Sequence, residues 1–388
     1  MADQTPTDEK RSVGAPKHHV DRSHYGDRLQ AWMADHLDAD AGSVTITDLD
    51  IPVATGFSNE TVFFTAHWVD GNDPHEERFV ARIEPADGGL FPVQTPATAV
   101  SVELQHRIMS HLADPATGAD ASKAPMPATL GHEPDPTVLG QPFFVMRFID
   151  GVIPTDHPRY SQEGFLVDEA TPAERTRMVH TGLEAMAAIH AVDWQAAGLG
   201  WLDADGNGNG NPTQQTQLAL YRRYVDDELA GREHPVLARA LDWLEANDPD
   251  DERIGLSWGD ARLGNIIWQD YQPAAVVDWE ACALSPTEAD LGWWLMFDRQ
   301  SFDDVGAARM DGFPTRTEMI AHYEAVSGRE VRDPHYWEVF ATMRFCAIFI
   351  RLADRLVAAG LVPAERSPFA ENHVTTALAT LLDEGPRP

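Results

Sequence analysis

Asp260, Asn265 and Asp278 are the residues whose types and spacing most plainly carry chemistry. The first two lie in Leu256-Ser-Trp-Gly-Asp-Ala-Arg-Leu-Gly-Asn-Ile-Ile-Trp, and the third in Val276-Val-Asp-Trp-Glu. Between them, Asn265-Ile-Ile-Trp, a Gln-Asp-Tyr-Gln-Pro turn and Ala274-Ala-Val-Val-Asp read as a hairpin. A hairpin brings Asp278 back toward Asn265. An acid, an amide and a second acid then converge at one end of a small sheet. That trio suits phosphoryl transfer. One carboxylate takes the proton of an attacking hydroxyl, and the amide oxygen and second carboxylate hold Mg²⁺ on nucleotide phosphates. Mg²⁺ completes its shell with phosphate and water, so two protein ligands suffice. Singly, each residue reads as an ordinary turn or strand-end side chain. The joint spacing carries the inference.

The charge balance narrows the alternatives. The chain has 388 residues, with 62 Asp+Glu against 29 Lys+Arg, for a net charge of −33. Such a chain repels a phosphate backbone, which argues against a nucleic-acid partner. The only lysines are Lys10, Lys17 and Lys123, and none follows a glycine, so there is no Walker-type phosphate loop. A Schiff-base lysine beyond residue 123 is excluded. Two cysteines, Cys282 and Cys346, give no disulfide framework and point to a reducing cytoplasm. The polar stretch Met1 to His19 does not read as a signal peptide, and no run reaches the ~18 apolar residues of a membrane span. The histidines show no zinc spacing. Oligomeric state is left open.

The elements that must position the trio follow from periodicity. Residues 1–25 read as a polar tail, 26–150 as a β-rich first lobe and 151–388 as a mainly helical second lobe. The first lobe holds β-rich runs at 43–47, 61–68 and 78–83, a helix over Val102 to Leu112 and a buried strand at Phe143 to Ile149. Thr171-Pro-Ala-Glu predicts a capped helix start. The apolar stretch Tyr336 to Val357, crossed by five charges, predicts a buried helix. Asp203 to Pro212 partly matches a calcium loop, but position 12 is Gln214, so it reads as an Asn/Gly surface loop.

Trp258-Gly-Asp260, Asn265 and Val277-Asp-Trp-Glu280 together resemble the catalytic loop and metal-binding strand of the aminoglycoside phosphotransferase / choline-kinase-like family. The resemblance spans about residues 26–360. It is closest to the bacterial subset related to kinase-like domains found beside acyl-CoA dehydrogenases. It implies an α+β, protein-kinase-like two-lobed fold. It also implies a small-molecule kinase that moves the γ-phosphate of ATP or GTP to a hydroxyl of an aminoglycoside-like, amino alcohol, sugar or hydroxyacyl acceptor, with Mg²⁺. Asp260 would be the base, with Arg262 beside the transferring phosphate or in a surface salt bridge. Asn265 and Asp278 would hold the metal. Gly56, Ser58 and Asn59 resemble the phosphate-covering turn, and Arg82 the phosphate anchor, where the family has Lys. Glu103 would pair with Arg82, with Glu84 and Glu77 as alternatives. Met146, Arg147 and Phe148 resemble the hinge whose backbone pairs with the base. Asp290 is expected to cap a helix and brace the catalytic loop, and His190 to be a satisfied core histidine. Trp293 is expected to be core. Trp258 replaces the family His, and with Arg82 it leaves open a catalytically impaired nucleotide-binding module. Trp-Gly-Asp and Asp-Trp-Glu argue against a protein kinase.

Overall fold

The protein is seen in a computed structural model, which describes residues 22–52, 59–156, 158–203, 212–249 and 253–385. Gly56, Ser58 and most of the Asn/Gly loop lie outside the described residues.

The first lobe contains α1 (Tyr25–Ala34), β1 (Thr45–Asp50), β2 (Glu60–Asp70), β3 (Asp73–Ile83), α2 (Ser101–Ala113), β4 (Thr129–Glu133) and β5 (Phe143–Arg147). The second follows with α3 (Phe165–Asp168), α4 (Pro172–His190), α5 (Gln214–Leu229), α6 (Pro235–Ala246), β6 (Ile254–Ser257), β7 (Ile266–Gln269), β8 (Gln272–Val276) and β9 (Ala283–Pro286). It ends with α7 (Glu288–Ser301), α8 (Arg316–Ser327), α9 (Pro334–Ala358) and α10 (His373–Glu384).

The first-lobe strands form one antiparallel sheet in the order β1-β2-β3-β5-β4. The β2–β3 hairpin turns at Gly71-Asn72 and sets Thr61 opposite Arg82. Its register therefore aims the arginine from the sheet toward the second lobe. Tyr25, Leu29, Trp32 and Met33 form the buried face of α1, as their helical spacing predicts. Arg22 to Tyr25, within the span expected to be a tail, are helical. The edge strand β4 is not evident from sequence, because Thr-Leu-Gly-His-Glu has neither alternation nor β-branched density. Gly131 in β4 has a packing reason: a Cβ there would lie 2.9 Å from the His36 ring.

In the second lobe, α4 starts with the expected Thr171–Glu174 capping box. Helix α9 is the expected buried helix, and its charges are neutralised locally: Glu338 pairs with Arg316 and Arg351 with Glu228. Two small antiparallel sheets, β6–β9 and β7–β8, frame the catalytic segment. The β7–β8 hairpin turns on Asp270 (φ 49°) and Tyr271 (φ 60°), the two left-handed positions of a type I′ turn. Its tight register delivers Asp278 beside Asn265: Val277 N–H donates to the Asn265 carbonyl at 3.0 Å. Among the described residues, no helix is long and apolar enough to cross a membrane. Both cysteines are free and buried.

Candidate active site

The loop that carries Asp260 leaves β6 through Gly259, whose φ of 88° suits glycine. A Cβ there would come within 2.0 Å of the Ala281 carbonyl oxygen, so only glycine fits. Asp260 follows, 7% exposed. Its Oδ1 accepts from the Trp293 indole N–H at 2.6 Å and from Arg262 Nε at 3.2 Å. Its Oδ2 accepts from Asn265 Nδ2 at 2.7 Å, and the same amide nitrogen donates to the Asp260 carbonyl at 2.9 Å. Both neighbours of that nitrogen are acceptors, so the amide has one satisfying orientation. Its two protons are engaged and its Oδ1 is left for another partner.

Asp278 sits at φ 63° at the end of the hairpin. Its Oδ1 is buried and makes no hydrogen bond among the described residues. Arg82 approaches that oxygen at 3.9 Å, beyond hydrogen-bond reach, while donating to Thr61 Oγ1 at 2.8 Å. Glu280 Oε2 is likewise buried without a partner. Burial pushes the Asp278 carboxyl up, against the pull of Arg82, and the Asp260 charge adds to the rise. Burial and then Asp278 push Glu280 well up. The cluster is thus short of positive charge. Asp278 carries an orphaned carboxylate oxygen and Asn265 an uncommitted amide oxygen, a donor set that suits a small hard cation.

A second layer fixes the loop. Asp290 is fully buried and accepts four hydrogen bonds: Trp258 N–H (2.7 Å), Gly259 N–H (2.8 Å), Ser257 Oγ (2.8 Å) and the His190 ring (2.9 Å). His190 in turn meets the Tyr323 hydroxyl at 2.7 Å. Burial would push Asp290 up, but the His190, Ser257 and Gly259 hydrogen bonds outweigh it and hold the carboxyl below its ordinary range. The expected bracing is present, but not through capping. Thr287 is the N-cap of α7, and Asp290 lies in its first turn, pointing back to the loop. Trp258 stands where the family has His. It is fully buried, packs against Trp279, and its indole N–H donates to the Val277 carbonyl at 3.0 Å. It ties the catalytic loop directly to the strand that carries Asp278.

The structure places the remaining sequence-derived residues unevenly. Arg262 donates to Asp156 Oδ2 at 2.7 Å as well as to Asp260, and its guanidinium lies 5.1 Å from the Phe297 ring centre. The expected Arg82–Glu103 pair is not formed. Glu103 is exposed on α2, because helix geometry turns it away from the sheet. Glu84 is the buried carboxylate nearby, and it accepts from the Ser101 and Val102 N–H groups at the start of α2. Glu77 pairs with Arg147 instead. Asn59 is buried and donates to Ser101 Oγ at 3.3 Å, so it anchors α2. At the hinge, Met146 is buried. Arg147 N–H donates to the Ala128 carbonyl and Phe148 N–H to the Arg78 carbonyl, so both donors are already engaged. Gln214, at position 12 of the calcium-like loop, donates to the Tyr336 hydroxyl from within α5.

Sequence reasoning misses two groups at the site. Trp293 is core, as expected, but its N–H also reaches Asp260. Arg344, buried in α9, donates to the Gly259 carbonyl at 2.9 Å and to the Tyr221 hydroxyl at 2.9 Å. A charge inside an apolar helix was the signal available for Arg344. A small cleft is lined by Arg262 together with Asp156, Tyr160, Phe297, Asp298 and Phe313. Its carboxylates have partners: Asp156 holds Arg262, and Asp298 holds Arg309 through both oxygens.

The chain is similar to several known proteins. It is 29% identical over 222 residues to mouse acyl-CoA dehydrogenase family member 10, a match that covers 56% of this chain and 18% of that protein. The chain therefore spans under a fifth of that relative. Among solved structures, a candidate aminoglycoside phosphotransferase from Ralstonia eutropha superposes with a TM-score of 0.66 at 22% identity, covering 93% of this chain and 99% of that one. The GDP and kanamycin complex of APH(2″)-IIIa gives a TM-score of 0.51 at 14% identity, covering 88% of this chain and 95% of that one. These structures share the kinase-like fold. Residues 51–323 match the phosphotransferase enzyme family, and with the Asp260–Asn265–Asp278 constellation inside that span, the chain belongs to this family of small-molecule kinases.

Proposed function

We propose that the protein transfers the γ-phosphate of ATP or GTP to a hydroxyl of a small molecule. Asp260 acts as base, and Asn265 and Asp278 act as Mg²⁺ ligands. The observation that carries this reading is a pair of uncommitted oxygens, Asn265 Oδ1 and the orphaned Asp278 Oδ1, on two residues that the β7–β8 hairpin brings together. When bound, Mg²⁺ would neutralise charge on the nucleotide phosphates. Asp260 Oδ1 already takes two donors, so Oδ2, with one, is the oxygen free to receive the acceptor's proton. The acceptor oxygen attacks the γ-phosphorus as the bond to the nucleoside diphosphate breaks. Arg262, pinned between Asp260 and Asp156, would offer charge to the transferring group. The acceptor would approach Arg262 at the mouth of the small cleft that this residue helps to line. Its aromatic walls and paired carboxylates favour a hydroxyl compound with an apolar part over a polycation.

The test is a screen for nucleoside diphosphate release over hydroxylated acceptors of both kinds, with Mg²⁺ and either nucleotide. Tight nucleotide binding without transfer to any acceptor would instead identify a catalytically impaired module. Within the same assay, Arg82→Lys is expected to raise the nucleotide KM about tenfold. A lysine ammonium is a single point of charge and does not reproduce the planar fork by which Arg82 can hold Thr61 through one nitrogen and offer the others to the phosphates. An unchanged KM would remove Arg82 as the phosphate anchor.

A further inference from the structure

We infer that Trp293 is a positioning residue for the reaction: its indole N–H fixes the Asp260 carboxylate so that Oδ2 faces the acceptor. The inference rests on the reading of Asp260 as base. An aspartate carboxyl turns easily about its last bond, and its two oxygens are chemically alike. A base useful in one direction needs that torsion held. Here the hold comes from both sides, Trp293 on Oδ1 at 2.6 Å and Asn265 on Oδ2 at 2.7 Å. Arg262 also meets Oδ1, at the longer 3.2 Å.

The indole itself cannot move. It is 1% exposed and packs against Phe91, Phe297 and Phe345. The Arg344 guanidinium lies 4.7 Å from its ring centre. That same guanidinium holds the Gly259 carbonyl one residue before Asp260. Ring and loop are therefore referenced to one buried side chain. Phe91 belongs to the segment after β3, and the Arg351 and Arg355 side chains tie that segment to α9 through the Gly88 and Gly89 carbonyls. The donor is thus packed between the two lobes. A neutral N–H on an anionic oxygen is a charge-assisted bond that is stronger when buried. It orients the carboxylate without adding a competing charge.

Trp293→Phe keeps an aromatic ring and removes the N–H. Slow nucleotide hydrolysis, with water as acceptor, provides an assay that needs no knowledge of the natural acceptor. We expect kcat to fall about tenfold, with nucleotide KM unchanged. Phe345→Leu, which loosens the packing on the indole but keeps the N–H, should lower thermal stability without the tenfold loss of kcat. In ¹⁵N–¹H spectra, the Trp293 indole proton should resonate far downfield and move upfield in Asp260→Ala. If Trp293→Phe fails to fold, benzothienylalanine at position 293 preserves the ring shape and lacks the N–H. A kcat unchanged in Trp293→Phe, or an indole resonance insensitive to Asp260→Ala, overturns the inference. Hydrolysis that survives Asp260→Ala at the full rate overturns the base assignment instead.

Discussion

Asp260→Asn is expected to lower the phosphoryl-transfer rate by about two to four orders of magnitude, the range that a positioned general base supplies. It should also raise the Mg²⁺ concentration needed for half-maximal rate, whereas Asp260→Ala should lower the rate without that second effect. The difference follows from the donors around the carboxylate. Oδ1 faces Trp293 and Arg262, and Oδ2 faces Asn265, so every neighbour is a donor. An asparagine must turn its own NH₂ toward one of them. If it faces Asn265, relief comes when the Asn265 amide rotates by half a turn. That rotation withdraws the oxygen proposed to face the metal. Alanine makes no such demand, because Asn265 keeps its bond to the residue 260 carbonyl. Product release and calorimetric Mg²⁺ titration with a non-hydrolysable nucleotide measure the two effects separately. Equal Mg²⁺ affinities in the two variants would mean that Asn265 does not take its orientation from Asp260. Transfer that survives either substitution unchanged would exclude Asp260 as the base.

What the sequence revealed of this site, and what it hid, follow from how each contact is made. Asn265 and Asp278 were legible as neighbours because one short hairpin joins them, and Asp260 because it precedes Asn265 by only five residues. The division into a β-rich and a helical part was legible from the apolar patterns, and the kinase-like arrangement of those parts from the family resemblance of the Trp258-Gly-Asp260 and Val277-Asp-Trp-Glu280 segments. Strands β6 and β9 were not, because four-residue strands buried on nearly every position show no alternation. The Arg82–Glu103 pairing follows from helix order alone, whereas the structure uses Glu84, at the end of its own strand, to cap α2. That choice depends on the angle between helix and sheet, which no local pattern encodes. Trp293 is legible as core, yet burial says nothing of where one polar atom on a large ring points. Such a contact is decided by packing across helices, here α7 against α9 and the loop between.

Asp290→Asn is expected to destabilise the protein by about 3–5 kcal/mol at neutral pH, the cost of removing one partner from a buried charged network. All four groups around Asp290 donate, two to each oxygen. Either orientation of an asparagine therefore sets its NH₂ against two donors and leaves them unpaired in a fully buried place. The effect depends on pH with a definite sign. The Asp290 carboxyl is held below its ordinary range in the folded state, so its contribution is complete above the unfolded value near pH 4. It is lost as the pH falls through the lower folded value. The difference between wild type and the Asp290→Asn variant should therefore narrow on acidification below about pH 4. Urea unfolding of both proteins across that range checks it, and a constant difference would contradict the network as drawn. Ser257→Ala, which removes a single neutral donor, should cost only about 1 kcal/mol. Catalysis should fall further than folding in Asp290→Asn, because the unpaired N–H groups belong to Trp258 and Gly259, immediately before the base. A loop displaced by about 1 Å at that point misaligns Asp260, while most of the surrounding core is untouched.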